Sequence, residues 1–354
     1  MENGKDIYFA PVLIPTLCRS KHFIRLMESL KRNTWAKYTD VYVGLDYPPA
    51  EKYRQGWQEI CDYVDHGDFS CFAKFVVFKR DENYGSARNS SHLIEYAYEH
   101  YPCWIRTDDD VEFSPNFLEF EDKCLWEYRN DPDVMFVSGY SYPVKWTANE
   151  GATCFKQNFT LSAWGLGFWA SKKNIYSSYI KSGEMLKDAG TVVKEKYYER
   201  MIDSCFRDYF ASALSYGSQT SLFLICSDVA LRAYLACQDK YCITPMISKV
   251  RNYGFDGTGE YCTAIETNGE HALDFNYSTQ EIDTSETFDF RPDDSLQYME
   301  VNKQALNAFD YRSGEDMKPA RHNFQLIKRY GLTLAKVIHG VETFLENKLH
   351  VYKS

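Results

Sequence analysis

Long apolar runs are missing from this chain. The longest, Leu222 to Cys226, falls far short of the ~20 residues needed to cross a bilayer. A basic start followed by an apolar stretch is missing too: the chain opens MENGKDIYFAPVLIP, so no signal peptide is expected. No Cys-x-x-Cys pair occurs among the 11 cysteines, and several sit in apolar context, as in Pro102-Cys103-Trp104 and Ile225-Cys226. An odd number without metal-ligand spacing predicts reduced, buried thiols, no zinc and a cytoplasmic location. Positive charge is in deficit, with 40 basic against 50 acidic residues and a net charge of −10. That balance argues against nucleic acid as a partner, because the phosphate backbone demands a basic surface. Internal repeats and low-complexity tracts are absent.

What is present fits a folded domain of some size. The 354 residues allow one large or two medium domains, and 44% hydrophobic with 25% charged residues is ordinary globular composition. Aromatics reach 16%. Rings in such number suit stacking on sugars or bases, and equally a Tyr-rich core.

The first 110 residues alternate strand and helix. Strands are predicted over 6–14, 40–45, 74–79 and 103–107, from short apolar runs rich in β formers. Helices are predicted over 20–32, 51–65 and 86–100, the first from Phe23, Leu26, Met27 and Leu30 at helical spacing. This order predicts an α/β fold with a mainly parallel sheet, and ligands at the carboxyl ends of its strands. Further on, 117–129 reads as helix, 134–139 as strand, 184–216 as helical, and 221–238 as a short strand and a helix. Residues 254–317 carry 15 Asp/Glu against 3 Lys/Arg and little apolar periodicity, which predicts a surface-wrapping or mobile segment. From 318 the balance reverses to 7 Lys/Arg against 2 Glu. There Phe324, Ile327, Gly331, Leu334, Ile338, Val341 and Leu345 form one stripe on a long helix.

The strongest chemical signal is Arg106-Thr-Asp-Asp-Asp-Val-Glu-Phe-Ser-Pro115. Adjacent carboxylates after an apolar strand repel one another, and only Arg106 offsets this locally. A divalent cation relieves the repulsion and bridges phosphates. A solvated acidic turn is the alternative; the position at the end of the fourth strand favours metal. The second signal is Asp81-Glu-Asn-Tyr-Gly-Ser-Ala-Arg-Asn89, a glycine turn before a helix. Free N–H groups and the Arg88 guanidinium suit a phosphate or a polarised base, with ordinary capping as the plain reading.

Ile14-Pro-Thr-Leu-Cys-Arg19, Val43-Gly-Leu-Asp46, Asn83-Tyr-Gly-Ser-Ala-Arg-Asn89 and Asp108-Asp-Asp110 together resemble a GT-A nucleotide-sugar glycosyltransferase of the large family 2. Three later stretches are similar to the metal-dependent N-acetylglucosaminyltransferases that begin complex N-glycan branches: Asp108-Asp-Asp-Val-Glu-Phe-Ser-Pro-Asn-Phe117, Asp131-Pro-Asp-Val-Met-Phe-Val-Ser138 and Gly165-Leu-Gly-Phe-Trp169. The resemblance covers about residues 6 to 260. Those enzymes begin the triplet with Glu, where this chain has Asp108, and they carry a membrane anchor and stem that this sequence lacks.

The resemblance implies a GT-A fold: a Rossmann-like mixed, mainly parallel sheet flanked by helices, here with a C-terminal helical extension. It implies transfer of a sugar, GlcNAc first among candidates, from a UDP-sugar to a saccharide or lipid-linked acceptor. Asp110 would ligate Mn²⁺ or Mg²⁺, while Asp108 and Asp109 would hold the ribose and metal-bound water. The donor side would include Pro15, Arg19, Asp46, Asn83, Gly85, Arg88, Gly165 and Gly167. Asp46 would accept from the uracil N3–H, or is simply a turn Asp before Pro48-Pro49. Arg19 and Arg88 would face base or diphosphate, or form surface ion pairs. Trp164 to Trp169 would floor the donor sugar, or form a buried strand with glycine bends. The segment Arg251 to Gly259 would be a lid, or an exposed loop.

Inverting transfer needs a base for the acceptor hydroxyl. Asp228, in Cys226-Ser-Asp-Val-Ala-Leu-Arg232, has the D-x-x-x-R context of the related enzymes, though an Asp in a first helical turn is also common for dipole reasons. Asp203, Asp208 and Asp239 are lesser candidates. Two competing functions remain. A sugar-1-phosphate nucleotidyltransferase wants a Gly-rich loop after the first strand, and Pro15-Thr-Leu-Cys-Arg19 has no glycine. A non-catalytic carbohydrate-binding module needs no carboxylate triplet. Boundaries are expected at 1–112 and 113–260 for the two halves of the transferase domain, then 261–317 and 318–354. The last helix would pack back, form a homodimer, or lie peripherally on the inner face of a membrane.

Overall fold

The structure is a computed structural model that describes residues 7–158, 161–185, 188, 228–254, 256–259, 281–296, 304 and 317–351. Two compact units emerge from its contacts. The first joins residues 1–174 to 241–305, and the second joins 175–240 to 306–354. The expected boundaries at 260 and 317 therefore do not coincide with the units. Residues 241–245 return to the main sheet of the first unit, residues 250–252 pair in a second ladder, and Ile282 of the acidic segment bridges to Ser248 between them.

The first unit opens as the sequence predicts. Strand β1 (Val12–Thr16) leads to helix α1 (Ser20–Lys31), β2 (Asp40–Leu45), α2 (Arg54–His66), β3 (Lys74–Lys79), α3 (Gly85–His100) and β4 (Cys103–Arg106). Phe23, Leu26, Met27 and Leu30 of α1 are all fully buried, which is why the three-and-four spacing forms a helix here. β1 pairs parallel with β2 on one side and with β4 on the other, and β2 pairs parallel with β3. Strand order thus reverses between β1 and β4. β1 begins later than expected because its ladder starts at Val12, opposite Val41 and Ile105. Pro15 lies beyond the last pair with β4, so its missing N–H breaks no bond of that ladder.

The remaining strands make the sheet mixed. They are β5 (Val111–Phe113), β6 (Val134–Ser138), β7 (Cys154–Gln157), β8 (Leu166–Trp169), β9 (Tyr241–Pro245), β10 (Val250–Asn252) and β11 (Pro292–Asp293), with α4 (Phe117–Glu127) between β5 and β6. Among the described residues the main sheet has nine strands in the order β11-β7-β9-β6-β8-β4-β1-β2-β3, and β10 pairs with β5 in a second ladder. β8 lies antiparallel between β4 and β6. The result is an α/β fold with a mixed sheet and flanking helices, as expected. One edge, β3, has exposed Lys74 and Lys79 at its ends. The other edge is β11, supplied by the acidic segment. That segment wraps α4: Asn116 Nδ2 donates to Asp283 Oδ2 at 3.0 Å and to the Thr287 carbonyl at 2.9 Å, and Phe288 N donates to Glu119 Oε2 at 2.8 Å.

Helix α5 (Ala170–Ser182) starts with a buried lysine. Lys172 Nζ donates to the carbonyls of Tyr128, Asp131 and Val134 at 3.0, 2.9 and 2.6 Å, closing the end of α4. Burial pulls its ammonium down to about 8, against the pull of Asp131.

In the second unit, α6 (Asp228–Gln238) buries Ala230, Leu231, Ala233, Tyr234, Leu235 and Ala236. Helix α7 (Met317–Val351) is not the single long helix that the stripe suggests. Gly331 has φ 70° and ψ 165°, outside helical values. His322 Nε2 and Glu342 Oε2 lie 2.9 Å apart, although twenty residues of unbroken helix would separate them by about 30 Å. The chain therefore doubles back at Gly331. The doubling splits the stripe, burying Ala335 and leaving Leu334, Val337, Val341, Phe344 and Leu345 exposed. No described helix is long and apolar enough to cross a membrane, and the described cysteines are all free thiols. The predicted helix over 184–216 and strand before α6 lie largely outside the described residues.

Two acids of α4 face the core. Glu121 and Asp122 are fully buried, and among the described residues neither Glu121 oxygen nor Asp122 Oδ2 makes a well-formed hydrogen bond, the Gly139 N–H exerting only a weak pull on Glu121. Burial, then the neighbouring Asp122, holds the Glu121 carboxyl well above the usual carboxylate range. The folded state thus keeps a proton that the unfolded chain gives up above about pH 4.5. Stability from this proton is complete below that pH and is lost as pH rises towards the folded value, by up to about 1.4 kcal/mol per unit. Thermal unfolding from pH 5 to 8 should show a falling midpoint, and Glu121→Gln should flatten that slope whatever its own midpoint.

Candidate active site

The carboxylate triplet sits where the strand order reverses. In open α/β sheets that crevice, beyond the carboxyl ends of neighbouring strands, is the usual ligand position. Thr16 ends β1 and Arg19 follows it, and Asp108 to Asp110 follow β4. Thr16 Oγ1 donates to Asp109 Oδ2 at 2.7 Å. Arg19 reaches both buried acids with one nitrogen: Nη2 bonds Asp109 Oδ1 and lies 2.8 Å from Asp110 Oδ2. Arg106 Nη2 pairs with Asp108 Oδ1 at 2.7 Å. Asp109 and Asp110 are 6% and 9% exposed, and Asp108 is the most open of the three.

Three carboxyl groups face two guanidiniums, so acid exceeds base within the cluster. Burial, then Asp108, pushes the Asp110 carboxyl up to about 7, against the opposing pull of Arg19. Burial alone would pull the Arg19 guanidinium down, but Asp109 and Asp110 more than offset it and hold it above its ordinary value. The donor set suits a hard divalent cation, since carboxylate oxygens in electrostatic excess are what such ions take. Among the described residues no group of three or more His, Cys, Asp or Glu could hold a metal by itself. A cation held by one or two carboxylates and completed by ligand phosphates meets both facts.

The segment after β10 braces the triplet. Asn252 Nδ2 donates to Asp110 Oδ1 at 3.2 Å, and Gly254 N donates to Asn252 Oδ1 at 2.6 Å. Tyr253 N donates to the Asp110 carbonyl at 2.7 Å, and its hydroxyl to Glu112 Oε2 at 2.9 Å. A Cβ at Gly254 would stand 2.0 Å from Asp110 Oδ2, so any side chain there would displace that carboxylate. Further along, Asp256 Oδ2 meets His22 Nε2 at 2.9 Å, and the Arg25 guanidinium lies 4.0 Å over the Tyr253 ring. The start of the expected lid is a strand and a turn: β10 pairs with β5, immediately after the triplet.

A second cluster gathers beyond β2 and β3. Asp46, only 3% exposed, accepts from Tyr47 N at 2.9 Å, Tyr84 N at 2.7 Å and Asn83 Nδ2 at 3.3 Å. Its carboxylate ties the two loops together, which is the work of a turn Asp. Gly85 adopts φ 72° at the start of α3, with open space where a Cβ would lie, so conformation rather than crowding requires glycine. Arg88 pairs with Glu82 at 2.9 Å, and its guanidinium lies 3.6 Å over the Tyr84 ring, well exposed. Buried Arg80 donates to Asn89 Oδ1 at 3.1 Å, and Asn89 Nδ2 to the Gly44 carbonyl at 2.7 Å. Arg80 and Asn89 thus join β2, β3 and α3.

Gly165 and Gly167 have packing reasons to be small. A Cβ at Gly165, whose φ is 67°, would meet the Phe117 ring at 2.7 Å. One at Gly167 would meet Glu121 Oε2 at 2.5 Å. This is the buried strand with glycine bends. Its register nevertheless sets Leu166 opposite Arg106, so Trp164 and Gly165 run alongside the end of β4. Asp228 lies in the second unit as the first residue of α6, and Asp239 follows that helix with φ 47°. Asp203 and Asp208 fall outside the described residues.

Thr16, Arg80, Asn252 and Gly254 were not singled out from sequence. Thr16 and Asn252 meet acids 93 and 142 residues away, pairings that no local spacing announces. Gly254 had one visible signal, the glycine-rich run it belongs to.

No family model matches the chain, and no curated protein matches it. Among solved structures the chain is similar to Staphylococcus aureus TarS 1–349, with 16% identity over 48% of each chain and a TM-score of 0.33. It is similar to the same protein in complex with UDP-GlcNAc, with 16% identity over 48% of this chain and 47% of that one and a TM-score of 0.34. A third similar structure is the mannosyltransferase PcManGT from Pyrobaculum calidifontis with GDP-Man and Mn²⁺, at 12% identity over 65% of this chain and 70% of that one, TM-score 0.34. The chain spans about half the length of the TarS 1–349 chains it matches, 48% and 47%.

Gly254→Ala should push Asp110 away from Arg19 and Asn252 and cost about 1–3 kcal/mol. Asn252→Ala should cost less, about 1 kcal/mol. Urea titrations of both variants check this; wild-type stability in Gly254→Ala would mean that the turn is not held against Asp110.

Proposed function

We propose that this chain is a nucleotide-sugar glycosyltransferase of the GT-A type. It moves a sugar, GlcNAc first among candidates, from a UDP-sugar to a saccharide or lipid-linked saccharide acceptor in glycan assembly. The observation that carries the reading is the junction of Thr16, Arg19, Asp109 and Asp110 at the switch point between β1 and β4. A buried carboxyl cluster with acid in excess of base in that crevice suits a phosphate-bridging cation. The motifs around it in the sequence resemble those of glycosyltransferases.

Asp110 is the proposed ligand of Mn²⁺ or Mg²⁺, with Asp108, the most open acid, towards ribose and metal-bound water. A bound divalent cation would neutralise charge on the departing nucleoside diphosphate. Asp109, locked by Thr16 and Arg19, holds the rest of the triplet in place. Asp46 fixes Asn83 and Tyr84 at the base side, and Trp164 with Gly165 borders the sugar side. Asp228 is assigned the proton of the acceptor hydroxyl. That assignment rests on its sequence context with Arg232 and on inversion, which the resemblance implies. A lipid-linked acceptor would bring the chain to a membrane surface, with the exposed apolar face of α7 as the contact.

Thermal unfolding with UDP-, GDP- and CMP-sugars, with and without Mn²⁺, tests the donor. One UDP-sugar should stabilise only with metal, by about 2.7 kcal/mol at a hundred times its Kd, and Asp110→Ala should remove the effect. No response to any nucleotide would instead favour a carbohydrate-binding module. Asp228→Asn should abolish sugar transfer and retain donor-dependent stabilisation; full transfer in that variant would take Asp228 out of the mechanism.

A further inference from the structure

We propose that Arg19 is a resident counter-cation of the carboxylate site, one that must release Asp110 before a divalent ion can bind. The inference rests on the reading of Asp110 as a metal ligand. A single nitrogen of Arg19 serves both Asp109 Oδ1 and Asp110 Oδ2. The other oxygen of each acid is taken, Asp109 Oδ2 by Thr16 and Asp110 Oδ1 by Asn252. Asp110 Oδ2 is therefore the oxygen whose described partner is the guanidinium. The same oxygen is the one that Gly254 leaves uncovered, since any Cβ there would lie 2.0 Å from it.

A cation reaching Asp110 Oδ2 meets a positive charge already in contact with that atom. The acids are about nine-tenths buried, and the guanidinium is 21% exposed. Solvent screens such a pair poorly, so guanidinium and metal exclude each other. Asp108 differs: it is 32% exposed and has its own partner, Arg106. Metal alone also finds few ligands here, because no third suitable side chain completes a cage among the described residues. A nucleoside diphosphate changes both terms. It brings oxygen ligands for the metal and an anionic partner for the displaced guanidinium. Arg19 thus couples the two ligands: metal enters weakly alone and readily with the diphosphate.

Mn²⁺ binding to the full chain, followed by the electron paramagnetic resonance of free Mn²⁺, tests this with and without UDP. Without UDP, Arg19→Gln should bind Mn²⁺ at least ~10-fold more tightly than wild type. Arg106→Gln removes the same charge but leaves the Arg19 contacts, and should change affinity by less than about threefold. With UDP, the gap between Arg19→Gln and wild type should narrow. Equal or weaker Mn²⁺ binding by folded Arg19→Gln would overturn the proposal. Should that variant fail to fold, Arg19→Lys, too short to span both acids, carries the test: tighter binding than wild type supports the proposal and equal binding overturns it. If wild type binds Mn²⁺ with UDP and Arg19→Gln merely matches it throughout, the proposal fails and the glycosyltransferase reading stands. If no variant binds Mn²⁺ with or without UDP, the metal reading falls and takes the proposal with it.

Discussion

Repulsion among the acids at the end of β4 is the constraint around which the first unit is organised. Three successive carboxylates at a strand terminus would push the chain open if nothing opposed them. Opposition arrives from two places distant in sequence, Thr16 and Arg19 at and beyond the end of β1 and Asn252 at the end of β10, and from Arg106 close by in β4. Each depends on a piece of topology. Arg19 is in reach because β1 and β4 are neighbours at the reversal of strand order. Asn252 is in reach because β10 pairs with β5, which begins one residue after the triplet. The fold can be described as the arrangement that makes this cluster of charge tolerable.

Buried charge elsewhere is handled differently. Lys172 ends among three main-chain carbonyls and stays hydrogen-bonded throughout. Glu121 lacks such a set of donors, and burial favours its neutral, protonated form. The two cases show the two ways a low-dielectric interior accepts an ionisable group, by satisfying it or by neutralising it. The triplet follows neither route completely, which is why its excess of acid points to a ligand.

Much of the first 138 residues was legible from sequence because each element there buries its own apolar pattern. β2 and β3 match their predicted spans, and α1 and α3 differ by one residue at an end. The short strands β5, β7, β10 and β11 were not legible, since two to four residues carry no period and depend on partners far away. The C-terminal stripe misled for a physical reason. Spacing records which side of a helix is apolar but is blind to a single glycine at φ 70°, and Gly331 turns the helix back on itself. In the site, the acids and the glycine turn before α3 stood out as motifs. The roles of Thr16, Arg80 and Asn252 did not, because their partners are set by tertiary register. Arg19 was visible as a candidate, but its attachment to the triplet was not.

The two edges of the sheet have a consequence for how the protein behaves in concentrated solution. An unpaired strand edge is a template on which another chain can add a strand. β3 reads Lys-Phe-Val-Val-Phe-Lys, a sequence that would zip readily with its own copies; Lys74 at its start sets a like charge against such an approach, while Lys79 at its end is paired with Asp65 at 2.6 Å. At the far edge β7 is covered by two residues of the acidic wrap, Pro292 and Asp293, one without an N–H and one charged. The sheet is therefore guarded at one end by lysine and at the other by a proline–aspartate clasp. Loss of the wrap would bare the β7 edge and leave its main-chain groups open to pairing with another chain.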